Sequence, residues 1–111
     1  GMNAALYVAD GRGLLVDFGI GFPRMALPGV VLTVPDATTI AERVPDLAGI
    51  VLTHAHDDHC AGLPYLPERW SRTPVYGPGL ALATAARSAG GSSAGRISAI
   101  VIARNSSRRQ P

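Results

Sequence analysis

All three histidines of this 111-residue chain fall within six consecutive positions, His54-Ala55-His56-Asp57-Asp58-His59. His54 and His56 are one residue apart. In an extended or loosely turned segment, alternate side chains point the same way, so both imidazoles can reach one metal ion. Asp58 and His59 are adjacent and fall where the next helix is expected to begin. The backbone reverses there, which aims them at a neighbouring point about 3.5–4 Å from the first ion, the usual two-metal separation. Imidazoles with a carboxylate suit zinc or a similar borderline metal. His54, His56, Asp58 and His59 are therefore the metal-ligand candidates, and Asp58 and His59 are also the catalytic candidates. A polar turn of solvated histidines fits this clustering poorly, whereas a single structural zinc without catalysis is compatible with it.

Asp17 closes an apolar run, an odd place for a charge. It reads either as a carboxylate behind the metals that orients a ligating histidine or as a solvent-facing strand end. Cys60 sits beside His59 and could bind metal, but a small buried helix residue is the simpler reading. Tyr7, Phe22, Tyr65, Trp70 and Tyr76 read as core or rim packing in preference to a base-stacking platform. Arg69, Arg72, Arg108 and Arg109 could contact phosphates, and solvated surface charge is the plainer account.

The elements that must hold the cluster follow from pattern. Ala4–Ala9 and Gly13–Phe18 are apolar runs joined by Asp10-Gly11, which predicts a β-hairpin. Residues 24–35 read as loop with at most one short strand. Ala37–Val44 reads as a helix with Asp36 as its N-cap. Leu47–Thr53 is the best strand, and its β-branched core fits a buried parallel position. Ligands at the C-terminal end of such a strand lie in the crevice where open α/β sheets bind ligands. A short helix over Ala61–Trp70, restricted by Pro64 and Pro67, a strand at Pro74–Tyr76 and a helix over Leu80–Ala89 complete an α/β arrangement. From Ser88 onward the composition is linker-like. Ile97–Ala103 is one further strand candidate, and 105–111 is polar and basic. The expected division is a domain portion over 1–88 and a linker-like, disordered tail over 89–111.

Composition bounds the rest. The formal charge is +2, every basic residue is arginine, and 47% of residues are hydrophobic. A mild basic excess is no nucleic-acid signal in itself, and one modest core is the expectation. A single cysteine permits no internal disulfide, so a reducing compartment is the default. No apolar stretch approaches the ~18 residues needed to span a bilayer, and the chain reads as soluble, cytoplasmic and without a membrane partner.

The residues also resemble a known family. His54–His59 matches the H-x-H-x-D-H pattern of the metallo-β-lactamase superfamily, and Val16-Asp17-Phe18-Gly19 resembles its first motif, an Asp closing a β-hairpin. Asp17–Pro23, with its Phe22-Pro23 pair, and Gly29–Asp36, ending in Pro35-Asp36, resemble consecutive segments of the ribonuclease J branch, one of the β-CASP nucleases. Gly49–His54, Gly62–Leu66, Pro74–Gly77 and Leu80–Ala83 continue the similarity in order over residues 2–88. The resemblance implies the N-terminal part of an αββα sandwich. It implies two zinc ions, one on His54 and His56 and one on Asp58 and His59, with Asp17 behind them. It implies a metal-activated water that attacks an RNA phosphodiester, RNA as substrate, and a homo-oligomeric parent protein. The superfamily also uses a third-motif histidine, a bridging aspartate and a last histidine. This chain has no histidine after His59 and no acidic residue after Glu68, and the β-CASP domain is absent. The expectation is a fragment, a truncated reading frame or a chain whose end leaves the family frame, inactive alone and at most partly occupied by metal. Half of such a sandwich leaves an apolar sheet face uncovered, which predicts association. The alternatives are another hydrolase of this fold, of thioesterase or lactonase type, and a non-catalytic metal-binding fragment.

Overall fold

In a computed structural model that describes residues 2–25, 27–89 and 99–101, the chain forms one five-stranded mixed sheet whose spatial order is the order of the sequence. Strands β1 (Ala5–Ala9) and β2 (Arg12–Val16) are the hairpin expected from Asp10-Gly11. Both turn residues take left-handed backbone, φ 51° and 76°, the conformation that matches strand twist in a two-residue hairpin. β3 (Leu47–Val51) lies parallel to β2, β4 (Val75–Gly77) parallel to β3, and β5 (Ala99–Val101) parallel to β4. β5 falls inside the Ile97–Ala103 candidate. The remainder of the expected linker and tail, beyond Ala89, lies outside the described residues.

The sheet's two faces differ. Leu6, Leu15, Ile50 and Val75 are register partners in one row. Leu15, Ile50 and Val75 are buried, packed in one core with Phe18, Leu52, Trp70, Ala81, Leu82 and Ala85. This row faces the helices α1 (Thr38–Arg43), α2 (Asp57–Cys60) and α3 (Gly79–Ala89). Trp70 is fully buried, and its indole N–H donates to the Val44 carbonyl at 2.9 Å, tying the end of α1 to the core. On the other face the partners Tyr7 and Leu14 are exposed and Val16, Val51 and Tyr76 half-buried. One apolar face therefore meets solvent among the described residues, as the half-sandwich reading requires.

Several local expectations shift. β2 ends at Val16 and not Phe18, because Asp17 takes a left-handed φ of 60°. Asp17 N–H makes a last bond to the Val51 carbonyl before the chain leaves the ladder. The helix expected over 61–70 is instead two single 3-10 turns, Leu63–Tyr65 and Glu68–Trp70. Pro64 and Pro67 each remove an amide donor, which prevents a continuous helix. The N-cap of α1 is Ala37, not Asp36. Asp36 still accepts from the Thr38 amide, and that bond holds its carboxyl below the usual range. No helix is long and apolar enough to cross a membrane among the described residues.

The segment after β2 is laced to α2 by backbone. Phe18 N–H donates to the His59 carbonyl, Ile20 N–H to that of Asp57, and Gly62 N–H to that of Phe18. Gly19 is required at the crossing, since a Cβ there would lie 1.7 Å from the Asp58 carbonyl oxygen. We therefore expect Gly19→Ala to destabilise the fold by on the order of 1–3 kcal/mol or more, as overpacking does. Gly79→Ala, where a Cβ meets nothing within 4 Å, should stay within about 0.5 kcal/mol of the parent. Urea unfolding of both variants checks this, and equal midpoints would refute the crossing.

Candidate metal centre

The four metal-ligand candidates and Asp17 come from three places in the chain that the parallel β2–β3 pairing brings together. Asp17 sits one residue past β2. His54 and His56 lie in the turn after β3, and Asp58 and His59 in the first turn of α2. Asp57 and Asp58 stand at a helix start, where the amide dipoles favour carboxylates.

Asp17 is the one buried charged or polar side chain among the described residues, at 5% exposure. A buried carboxylate must be surrounded by donors. Its Oδ1 accepts from the Thr53 amide at 2.8 Å. Its Oδ2 accepts from the Thr53 hydroxyl at 2.7 Å and from His59 Nδ1 at 2.8 Å. Burial pushes the Asp17 carboxyl up, but the bonds from His59 and Thr53 outweigh it and hold it below its ordinary value. The Thr53 amide that would extend β3 is turned toward Asp17, and this ends the strand.

The Thr53 hydroxyl also lies 2.8 Å from His54 Nδ1. An ionised carboxylate only accepts, so the single hydroxyl hydrogen goes to Asp17. The His54 contact is then a hydrogen bond only with the proton on His54 Nδ1. His59 Nδ1 likewise carries the proton it gives to Asp17. One carboxylate thereby sets both tautomers, directly at His59 and through Thr53 at His54, and leaves Nε2 of each neutral ring as the lone-pair donor.

The rings are grouped. His54 and His59 have centroids 4.0 Å apart, and His54 and His56 4.7 Å apart. His59 Nε2 and Asp58 Oδ2 are 3.7 Å apart. That exceeds hydrogen-bond length and is close to the ~3.4 Å between two donors on one tetrahedral zinc with ~2.1 Å bonds. The donor set of three imidazoles and a carboxylate thus fits a divalent ion. Among the described residues, however, no group of three or more such side chains is already arranged around one point.

Cys60 is buried in α2, and burial, followed by Asp57, Asp17 and Asp58, pushes its thiol up. It stays a thiol, a packing residue as the sequence suggests. Asn3 was not foreseen. Its side chain donates to both the carbonyl and the Oδ2 of Asp58 at 3.1 Å, and its amide donates to the same carbonyl. The two residues are 55 positions apart, and Asn3 lies outside every apolar run, so no local pattern marks it. Sequence pattern marks Thr53 only as a strand end, although a hydroxyl directly before the first histidine is a usable signal. Arg69 and Arg72 lie at the second 3-10 turn and just after it. Arg108 and Arg109 lie outside the described residues.

Comparison with known proteins gives a consistent picture. Residues 2–105 match the family model described as the metallo-beta-lactamase superfamily. Ribonuclease J of Mycobacterium tuberculosis is 37% identical over 86 residues, 78% of this chain and 15% of that protein. Ribonuclease J of a Synechocystis species is 36% identical over 83 residues, 75% of this chain and 13% of that protein. That of Sinorhizobium meliloti is 43% identical over 67 residues, 57% of this chain and 12% of that protein. The chain thus spans about an eighth to a seventh of the length of these relatives. The crystal structure of the short form of human tRNase Z superposes with a TM-score of 0.56 at 22% identity, covering 91% of this chain and 37% of that one, a likeness of fold.

Two outcomes follow from the Asp17 network. Asp17→Asn should cost about 1–3 kcal/mol, the usual cost of leaving buried partners mismatched. Because the folded-state pKa is lowered, that difference should be full above the unfolded value near ~3.9 and shrink as pH falls through the lower folded value. Urea unfolding at neutral pH and at successively more acidic pH reads this, and a pH-independent difference would contradict it. Thr53→Val removes the hydroxyl but keeps the shape. It should release His54 to mixed tautomers in 15N NMR of the metal-free protein, with His59 unchanged.

Proposed function

This chain belongs to the metallo-β-lactamase superfamily and is ribonuclease J-like, and on that premise we propose that it carries part of the site of a metal-dependent hydrolase of RNA phosphodiesters. The observation that carries the reading is the Asp17 network. Three carboxylate bonds fix the two flanking histidines of the cluster at the C-terminal ends of parallel strands, the position where open α/β sheets bind ligands.

In this reading His54 and His56 hold one ion and Asp58 and His59 a second, with zinc as the ion. Such ions supply Lewis acidity and lower the pKa of water. The chain's own residues do the positioning. Asp17 aims His59, Thr53 aims His54, and Asn3 steadies Asp58 through its Nδ2 bond to Oδ2. A hollow lined by Phe22 and Arg24, among others, reaches Asp57 and Asp58 of the motif. The other relatives compared are also ribonucleases J, at 34–39% identity, which favours RNA over the thioester or lactone substrates of the alternative reading.

Four ligand residues serve two ions, and the sequence offers no histidine beyond His59 and no carboxylate beyond Glu68. Each ion would be short of protein ligands in this chain alone. We place the parent enzyme in the cytoplasm as a homo-oligomer, and the 111 residues as inactive without further ligands.

The test is metal analysis of the 111-residue protein with zinc titration, beside an assay on 5′-monophosphorylated RNA. The expected result is less than two zinc per chain, a roughly tenfold or greater loss of zinc affinity in His54→Ala and His59→Ala, and no turnover. Zinc binding unaffected by either substitution would remove the metal assignment. Turnover by a monomer would remove the claim that the site is incomplete.

A further inference from the structure

Asp57 stands between two hollows. One, of about 700 Å³, is lined by Phe22, Arg24, Asp57 and Asp58 among others. The second, of about 240 Å³, is lined by Asp57 and Tyr65, and Ile20 borders both. Phe22 is 70% exposed and Tyr65 52% exposed. A single exposed aromatic needs no explanation. Two of them bracketing the same carboxylate of a candidate metal motif, each at the edge of its own hollow, do.

Both rings stand on fixed backbone. Gly21, directly before Phe22, exchanges two 2.8 Å bonds with Thr33, and Ile20 N–H donates to the Asp57 carbonyl at 3.0 Å. Pro23 restricts Phe22 to extended backbone. Tyr65 ends the 3-10 turn Leu63–Tyr65, and its amide donates to the carbonyl of Gly62, whose own amide donates to Phe18. The two platforms are therefore anchored to the same loop that crosses α2, and holding them in place costs little ordering entropy on binding. Charge is asymmetric between the hollows. Asp57 and Asp58 repel a phosphate, whereas Arg24, exposed and with no carboxylate partner among the described residues, offers a cation on the Phe22 side only.

We propose that Phe22 and Tyr65 are base-stacking platforms for single-stranded RNA, one on either side of Asp57, with Arg24 pairing a phosphate beside the Phe22 base. This rests on the RNA reading above and adds to it the side chains that would seat the bases. Duplex bases are already stacked and cannot lay a face on either ring. Stacking on an aromatic ring is indifferent to base identity, so the platforms would set strand position without setting sequence.

The test is fluorescence anisotropy of the 111-residue protein with a labelled single-stranded oligoribonucleotide and with its blunt duplex. It is run in EDTA so that binding is read without cleavage. Phe22→Ala and Tyr65→Ala should each weaken single-strand binding by roughly 5- to 150-fold. Phe22→Trp and Tyr65→Phe should retain it. Arg24→Gln should reduce the salt dependence by about 0.7 in slope, one phosphate contact on a single strand. All three positions are exposed, and unchanged urea midpoints verify that the variants fold. Equal binding of the single strand by parent and both alanine variants would overturn the platforms and leave the RNA reading standing. Preference for the duplex would overturn them likewise. Failure of the parent to bind any RNA would overturn the RNA reading, and the platforms with it.

Discussion

A carboxylate removed from water has to find donors or lose its charge, and Asp17 finds three within 2.8 Å. Much of the local architecture answers to that requirement. The left-handed backbone at Asp17 turns the side chain inward off the end of β2. The Thr53 amide leaves the sheet to meet it, two residues after the end of β3 and directly before the first histidine. His59 meets it from the first turn of α2. One side chain ties the end of β2 to two points 36 and 42 positions further along, both beside candidate ligands. A network that is fully satisfied rigidifies its members, and one with a missing partner is worse than none. That explains why this centre is built around a charge when an apolar residue would pack there more simply.

The backbone crossing of the segment after β2 over α2 supports the same point from beneath. Amide-to-carbonyl bonds from Phe18, Ile20 and Asn3 reach the carbonyls of His59, Asp57 and Asp58 in turn. Asp57, Asp58 and His59 are thus each fixed through the main chain, and Asp58 and His59 through their side chains as well. The absence of a Cβ at Gly19 is what allows the two backbones to approach.

How far the sequence foretold this depends on the range of the interaction. The hairpin was legible because Asp10-Gly11 requires left-handed backbone that few other dipeptides accept. β3 was legible because Leu47–Val51 is short, apolar and β-branched at its core. The histidine cluster was legible because its candidate ligands sit close together in sequence. The continuous helix over 61–70 was not there, since two prolines outweigh the surrounding helix formers. Asp17 stayed ambiguous between a buried and a solvent-facing carboxylate, because its three donors lie 36 to 42 positions away. Asn3 could not be found at all, since nothing local distinguishes it from any polar residue near a strand. The exposure of Phe22 and Tyr65 was equally hidden, as an aromatic beside a proline reads the same whether it packs inward or out.

The sheet's strand order, identical to the order in which the strands are synthesised, bears on how the chain acquires its structure. Each strand after the first pairs with the one made just before it, so only β1 must wait for a partner. The hairpin closes over a two-residue turn at the smallest loop entropy, and each parallel strand then adds to a ready edge. Growth in one direction suits a chain emerging from a ribosome at 5–20 residues per second. Asp17 is the exception to that order. It must stay unsatisfied until Thr53 and His59, 36 and 42 positions later, have followed it.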